Sequence, residues 1–309
     1  MIAARPPKVH IQEVAPRDGF QIEPNFVATD EKIRLIDALS KTGVSKIEVS
    51  SFVSPKAVPN LRDAADVFAA IERNPQVVYV ALVPNLQGAE RALAAGADEV
   101  NLVMSASETH NRANMRMTHE QSLSQFEAIC AFLSSTNVNV HATVATAFGC
   151  PFEGDQPADK IMQIVGRYRR MGVRGLTLAD TTGMADPHQV EALVARVLQQ
   201  YPELPLTLHF HNTRGMGLAN VFAAWQAGAT RFDAALGGIG GCPFAPGATG
   251  NISTEDTVHM FDRMGVESGA DLPSLIALSR HLTKVLGHDL PGQVAKAGRS
   301  CDLHRPPRG

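Results

Sequence analysis

Four segments of the chain share one pattern: KTGVSKIEV at 41–49, AAGADEVNL at 94–102, RMGVRGLTL at 170–178 and QAGATRFDA at 226–234. In each, a helical pattern ends at a glycine, a small apolar residue and a few polar ones follow, and a short strand begins. The glycines (Gly43, Gly96, Gly172, Gly228) suit the left-handed residue just past a helix end. A helix-to-strand joint that recurs in this way demands βαβ units and a parallel sheet. Completing the pattern predicts eight strands, at 9–15, 46–52, 77–83, 99–105, 139–147, 175–180, 205–211 and 231–237. Amphipathic helices lie between them. In TDEKIRLIDALSKTG, Thr29 or Asp30 is the expected N-cap, Ile33, Leu35, Ile36 and Leu39 the apolar stripe, and Gly43 the stop.

Eight such units fit the size of a (β/α)8 TIM barrel. A doubly wound open sheet would carry GxGxxG after the first strand, and APRDGFQIEP is not that motif. The expected architecture is therefore α/β: one barrel domain spanning 1–309, its core at about 9–266. A C-terminal helix and a Pro/Gly-rich tail, about 267–309, pack against it.

Composition narrows the partners. A net charge of −3 on 309 residues gives no reason to expect nucleic acid or an acidic membrane surface. No stretch approaches the roughly 18 apolar residues of a membrane span. The N-terminal MIAARPPKVHIQ has no apolar run of secretory type. Cys130, Cys150, Cys242 and Cys301 are widely spaced and form no CxxC pair, as in a reducing, cytoplasmic compartment.

In such barrels the chemistry gathers where strands end and βα loops begin. The predicted ends carry Arg17-Asp18, Glu48, Asp180, the pair His209 and His211, and the loop GGIGGCPFAPGATGN at 237–251 with Cys242. The two-residue period of a strand puts Thr207, His209 and His211 on one face and Leu206, Leu208 and Phe210 on the other. Both imidazoles then point into the barrel mouth, where Asp18 can join them on one divalent ion. Nitrogen and oxygen donors suit a first-row metal or Mg²⁺ rather than a thiolate zinc site. The alternative is a pair of neutral histidines satisfied by neighbouring backbone or carboxylates.

Six glycines in the fifteen residues of the loop call for unusual backbone angles or close approach to a ligand. A thiol there can exchange a proton or act as a nucleophile, or simply pack beneath the loop. Arg17 either pairs with Asp18 or aims at a substrate carbonyl or carboxylate. Glu48 and Asp180 are expected to orient the metal ligands; Asp180 has a second reading, as a cap on the loop that follows it.

Taken together, the sequence resembles the hydroxymethylglutaryl-CoA lyases of the barrel metallolyase superfamily, from about Val9 to Asp271. The resemblance rests on APRDGFQ (15–21), IEVSSFVSPKAVP (47–59), LVPN (82–85), SASETHNRAN (105–114), CPFEG (150–154), HFHNT (209–213) and the glycine loop. It implies Asp18, His209, His211 and Asn251 as ligands of Mg²⁺ or Mn²⁺, Arg17 as the substrate-carbonyl contact and Cys242 as the catalytic thiol. The implied reaction is cleavage of 3-hydroxy-3-methylglutaryl-CoA to acetyl-CoA and acetoacetate, with His209 or Asp18 as base, and relatives imply a homo-oligomer.

Three places depart from the family pattern. Gln21-Ile22-Glu23-Pro24 lacks the usual lysine, Asn212 stands where Asp is usual, and TTGMAD (181–186) replaces a Thr-Ile-Gly form. The first lies near the mouth and leaves open a bulkier 3-hydroxy-3-alkylglutaryl-CoA or another 3-hydroxyacyl-CoA. A condensing synthase and a CoA- or metal-binding protein without turnover are the further alternatives.

Overall fold

The computed structural model describes residues 5–241 and 249–303. All eight expected strands form: β1 (His10–Glu13), β2 (Lys46–Ser51), β3 (Val78–Leu82), β4 (Glu99–Ser105), β5 (Asn139–Ala145), β6 (Gly175–Asp180), β7 (Leu206–Phe210) and β8 (Arg231–Ala234). Each pairs in parallel with its neighbours, and β1 pairs with β8 to close a barrel. The four joint glycines all take the predicted positive φ, between 73° and 106°. At Gly43 the requirement is also steric, since a Cβ there would lie 2.0 Å from the Gly269 carbonyl oxygen.

Several boundaries fall short of the predicted ones for local reasons. Strand β5 stops at Ala145 because Thr146 turns to a φ of 51°, rare for a β-branched residue. Strand β1 stops at Glu13, where a wide turn over Ala15–Gly19 begins. Two helices, α4 (Glu108–Met115) and α5 (His119–Leu133), fill the crossover from β4 to β5 where one was expected. Helix α1 (Thr29–Leu39) has Ala28 as its N-cap. Thr29 is not the cap because its hydroxyl donates to Asp63 Oδ2 at 2.8 Å. Lys32, on the same helix, is buried and paired to Asp63 at 2.7 Å.

The two faces of the strands differ in chemistry. Ile11, Ile47, Leu102, Leu176, Leu208 and Phe232 belong to the hydrophobic core that the strands share with the helix layer. The opposite faces fill the barrel interior with Gln12, Lys46, Glu48, Glu99, Asn101, His141, Thr177 and Asp233. Barrel interiors are more often branched aliphatic; here the polar groups satisfy one another. Lys46 pairs with Glu99, His141 Nε2 meets Thr177 Oγ1 at 2.8 Å, and Gln12 donates to Thr207 at 3.3 Å. A polar interior that opens upward provides the floor of the site.

After α9 (Thr254–Arg263) come α10 (Leu272–Leu286) and a short α11 (Val294–Ala297). The connection between these two packs on the start of the glycine segment, where the Gly292 N–H donates to the Gly237 carbonyl at 2.8 Å. No described helix is long and apolar enough to cross a membrane.

Candidate active site

The turn after β1 is built to carry two charged residues inward. The Asp18 N–H bonds the Val14 carbonyl at 2.8 Å, which tightens the turn and brings Arg17 and Asp18 over the barrel mouth. Buried Glu13 holds this turn to two other segments. Its Oε1 accepts from Ala15 N at 2.8 Å and Leu236 N at 2.9 Å, and its Oε2 from Thr254 Oγ1 at 2.7 Å. Burial raises the Glu13 pKa to about 7, with these donors offsetting only part of the penalty.

At the end of β7 the alternation places His209 and His211 beside Asp18, as expected. One nitrogen from each imidazole and one Asp18 oxygen lie within 4.8 Å of one another. The two Nε2 atoms are 3.1 Å apart, and His211 Nε2 is 3.8 Å from Asp18 Oδ2. Neutral imidazole has only one N–H, so three converging ligand atoms cannot all satisfy one another with protons alone. His211 Nδ1 is buried and has no hydrogen-bond partner among the described residues. A divalent cation among these atoms resolves the crowding of lone pairs, so the residues fit a metal.

Electrostatics point the same way. Burial alone would raise the Asp18 pKa, but Arg17, both imidazoles and Asn251 overcome it and hold it at about 2, keeping an anionic oxygen available. Burial and the neighbouring His209 push His211 down to about 3, which leaves a neutral imidazole with a free lone pair. For His209, burial opposes protonation, yet the Asp233 carboxylate 3.2 Å from Nδ1 raises its pKa.

Asn251 reaches the same cluster through an isolated antiparallel bridge to His211. Its Nδ2 donates to Asp18 Oδ2 at 2.7 Å and to the Ile239 carbonyl at 3.0 Å. It therefore presents a nitrogen rather than the expected ligand oxygen, and a half-turn of the amide would exchange them. Gly240, at φ 103°, seals this side: a Cβ there would lie 2.6 Å from Asn251 Nδ2 and 3.1 Å from Asp18 Oδ2.

Arg17 is held on both sides. Its Nε donates to Glu48 Oε2 at 2.6 Å and its Nη1 to Asp18 Oδ1 at 2.5 Å. Glu48 was expected to orient a metal ligand and instead orients Arg17, because it sits on β2, beside the first turn rather than beside β7. Asp180 does not touch the histidines either. Its Oδ1 accepts from the Met184 and Ala185 N–H groups at 2.8 and 3.1 Å, the loop-capping alternative. Burial raises its pKa to about 6 despite those donors. The histidine-orienting task falls to Asp233, absent from the sequence reading. Its signal is alternation in RFDA, where Phe232 and Ala234 face the helices and Asp233 must face inward, in register with His209.

Cys242, the expected thiol, lies outside the described residues. Its neighbour Gly241 lines a cavity of about 340 Å³ together with Arg17, Asp18, His209, His211 and Asp233. Farther out the same cavity is walled by Val53, Val58, Pro84, Met115, Arg116 and Met117. Among the departures noted above, Gln21 lines this cavity, and Asn212 Oδ1 accepts at 3.0 Å from the N–H of Gly217, the first residue of α8 (Gly217–Gln226).

Comparison with known proteins agrees with this geometry. The HMGL-like family model matches residues 8–282. A hydroxymethylglutaryl-CoA lyase of Bacillus subtilis is 43% identical, over 96% of this chain and 99% of its own length. An (R)-citramalyl-CoA lyase of Chloroflexus aurantiacus is 44% identical, over 94% and 95%. The solved structure of an HMG-CoA lyase from Acinetobacter baumannii, in complex with coenzyme A and 3-methylmalate, is 57% identical and superposes with a TM-score of 0.95 over 97% of this chain and 98% of that one. With the match running through every barrel strand and the likeness extending over whole chains, this protein belongs to the HMGL-like family.

Proposed function

We propose that this chain is a metal-dependent carbon–carbon lyase that cleaves 3-hydroxy-3-methylglutaryl-CoA to acetyl-CoA and acetoacetate. The observation that carries the reading is the convergence of Asp18, His209, His211 and Arg17 at one cavity, in a chain 57% identical to an HMG-CoA lyase over nearly its whole length. Asp18, His209 and His211 would hold the divalent ion, with Asn251 as a further donor once its amide turns. The donor set, two imidazoles with oxygen atoms, suits Mg²⁺ or Mn²⁺. Such an ion, when bound, acidifies the C3 hydroxyl.

The chain's own groups account for the remaining chemistry. His209 is the better placed base, since Asp18 is held at about 2 whereas Asp233 raises His209. Its Nδ1 is engaged by Asp233, so Nε2 is the one nitrogen that could hold the ion or take the proton, and in the role of base it would leave the ion to Asp18, His211 and Asn251. Loss of the hydroxyl proton breaks the C2–C3 bond and leaves a thioester enolate. The Arg17 guanidinium, fixed by Glu48 and Asp18, is aimed to stabilise that oxyanion. Cys242 on the glycine segment is assigned as the acid that protonates the enolate carbon. A homo-oligomer belongs to this reading on the family resemblance alone.

A second reading has its own support, because a relative at 44% identity is an (R)-citramalyl-CoA lyase. Its substrate carries the carboxylate one carbon nearer the hydroxyl-bearing carbon, and the same metal, base and arginine serve it. Incubation with each acyl-CoA, with Mg²⁺ or Mn²⁺ and again after EDTA, decides between them. Metal-dependent acetoacetate, nearly abolished by Cys242→Ala, supports the first reading. Pyruvate from citramalyl-CoA in the absence of acetoacetate supports the second, and neither product from folded, metal-loaded protein would refute both.

A further inference from the structure

We propose that Asn101 and Thr143 are positioning residues for Arg17, acting through Glu48; the inference deepens the lyase reading and rests on it for its kinetic consequence. The three side chains form one hydrogen-bonded row across the barrel floor. Thr143 Oγ1 on β5 donates to Asn101 Oδ1 at 2.8 Å, Asn101 Nδ2 on β4 donates to Glu48 Oε1 at 3.0 Å, and Glu48 Oε2 accepts from Arg17 Nε at 2.6 Å. Beyond Arg17 the row runs on through Asp18 to Asn251. Four segments that are distant in sequence, carrying Thr143, Asn101, Glu48 and Asn251, are thus joined to the turn that holds one guanidinium.

The direction of the row is dictated at each link. A carboxylate paired to a guanidinium accepts hydrogen bonds and does not donate them. The Asn101 atom that faces Glu48 must therefore be its NH₂, which turns the amide oxygen toward Thr143, and the hydroxyl must donate to it. Strand β3 lies between β2 and β4 and offers no polar help, since it presents Val80 and Leu82 at this level. The second oxygen of Glu48 consequently depends on Asn101, and Thr143 anchors the far side of the Asn101 amide. Glu48 and Thr143 are both buried, and Asn101 and Thr143 line the same cavity as Arg17, so a lost partner is felt at the site itself.

Thr143→Val keeps the volume and removes the donor. The Asn101 amide then keeps its NH₂ on Glu48 but loses the anchor on its oxygen side, so its side chain is less firmly held, which loosens Glu48 and with it the Arg17 fork. The expected effect is a fall of about tenfold in kcat/KM, with Thr143→Ser restoring it to within about twofold. In an Arg17→Lys background, where the fork is already lost, Thr143→Val should add little.

A second measurement needs no turnover: the ¹⁵Nε–¹Hε resonance of Arg17, assigned by its disappearance in Arg17→Lys, should shift or broaden in Thr143→Val and return in Thr143→Ser. Thermal melts confirm that each variant is folded at the assay temperature. An Arg17 resonance and a kcat/KM both unchanged in Thr143→Val would overturn the proposal, as would a full additional loss in the Arg17→Lys background. If wild-type protein cleaves neither acyl-CoA, the lyase reading fails and the resonance alone decides whether the row positions Arg17.

Discussion

Glu13→Gln should make stability less dependent on pH without loosening the site. Glu13 is completely buried and joins the Arg17-Asp18 turn, the segment at Leu236 and the start of α9. Its pKa is raised to about 7 from the 4.5 of an exposed glutamate. Between those values the folded protein holds a proton that the unfolded chain has released, so stability falls as pH rises through that window. At about 1.4 kcal/mol per pH unit, the full span costs about 3 kcal/mol by pH 8.

Glutamine fits the same contacts. Its oxygen at the Oε1 position keeps both backbone donors, and its NH₂ at the Oε2 position meets Thr254, whose hydroxyl then accepts instead of donating. Urea unfolding of both proteins at pH 5, 6, 7 and 8 isolates the effect as the difference between them. The variant should gain about 2.5 kcal/mol on wild type between pH 5 and pH 8. A constant difference across that range would refute the assignment of a raised Glu13 pKa.

Other perturbations have equally definite outcomes. Asp233→Asn replaces a charged partner of His209 by a neutral one and should weaken Mn²⁺ binding about 10- to 100-fold, as measured by calorimetric titration. Because Asp233 raises the His209 pKa, the acid limb of the kcat/KM profile of this variant should move to lower pH. Gly240→Ala forces a Cβ to within 2.6 Å of Asn251 at a backbone angle that disfavours alanine, and should reduce kcat/KM at least about 100-fold while circular dichroism stays native. Lys32→Ala leaves Asp63 buried without its cation and should cost about 3–5 kcal/mol in urea unfolding, far more than the same change at exposed Lys41.

The barrel was legible because its signals are local. A glycine at each of four helix-to-strand joints, and alternation within each strand, predict eight units without reference to any distant residue. His209, His211 and Asp18 were legible for a related reason, since polar groups at strand ends have one destination in this fold. What escaped depends on how the ring closes. Asp233 becomes the partner of His209 only through the parallel register of β7 and β8.

Glu13 reads as an ordinary alternating residue, and the donor that completes its shell lies 241 positions away at Thr254. Glu48 carried the right chemistry to the wrong neighbour, because strand order alone does not say whether a carboxylate meets the first turn or the seventh strand. Lys32 occupies a position that the helix pattern assigns to solvent, and its burial follows from Asp63 on the next βα unit.

The central claim is that Asp18, His209 and His211 together hold a divalent cation used in carbon–carbon cleavage. Crystals equilibrated with Mn²⁺ and measured for anomalous scattering test it most directly. The expected result is one strong peak at about 2.0–2.3 Å from one nitrogen of each histidine and an Asp18 oxygen, lost in His211→Ala. Saturating Mn²⁺ that gives no peak among these three residues, or only a peak elsewhere on the molecule, would contradict it.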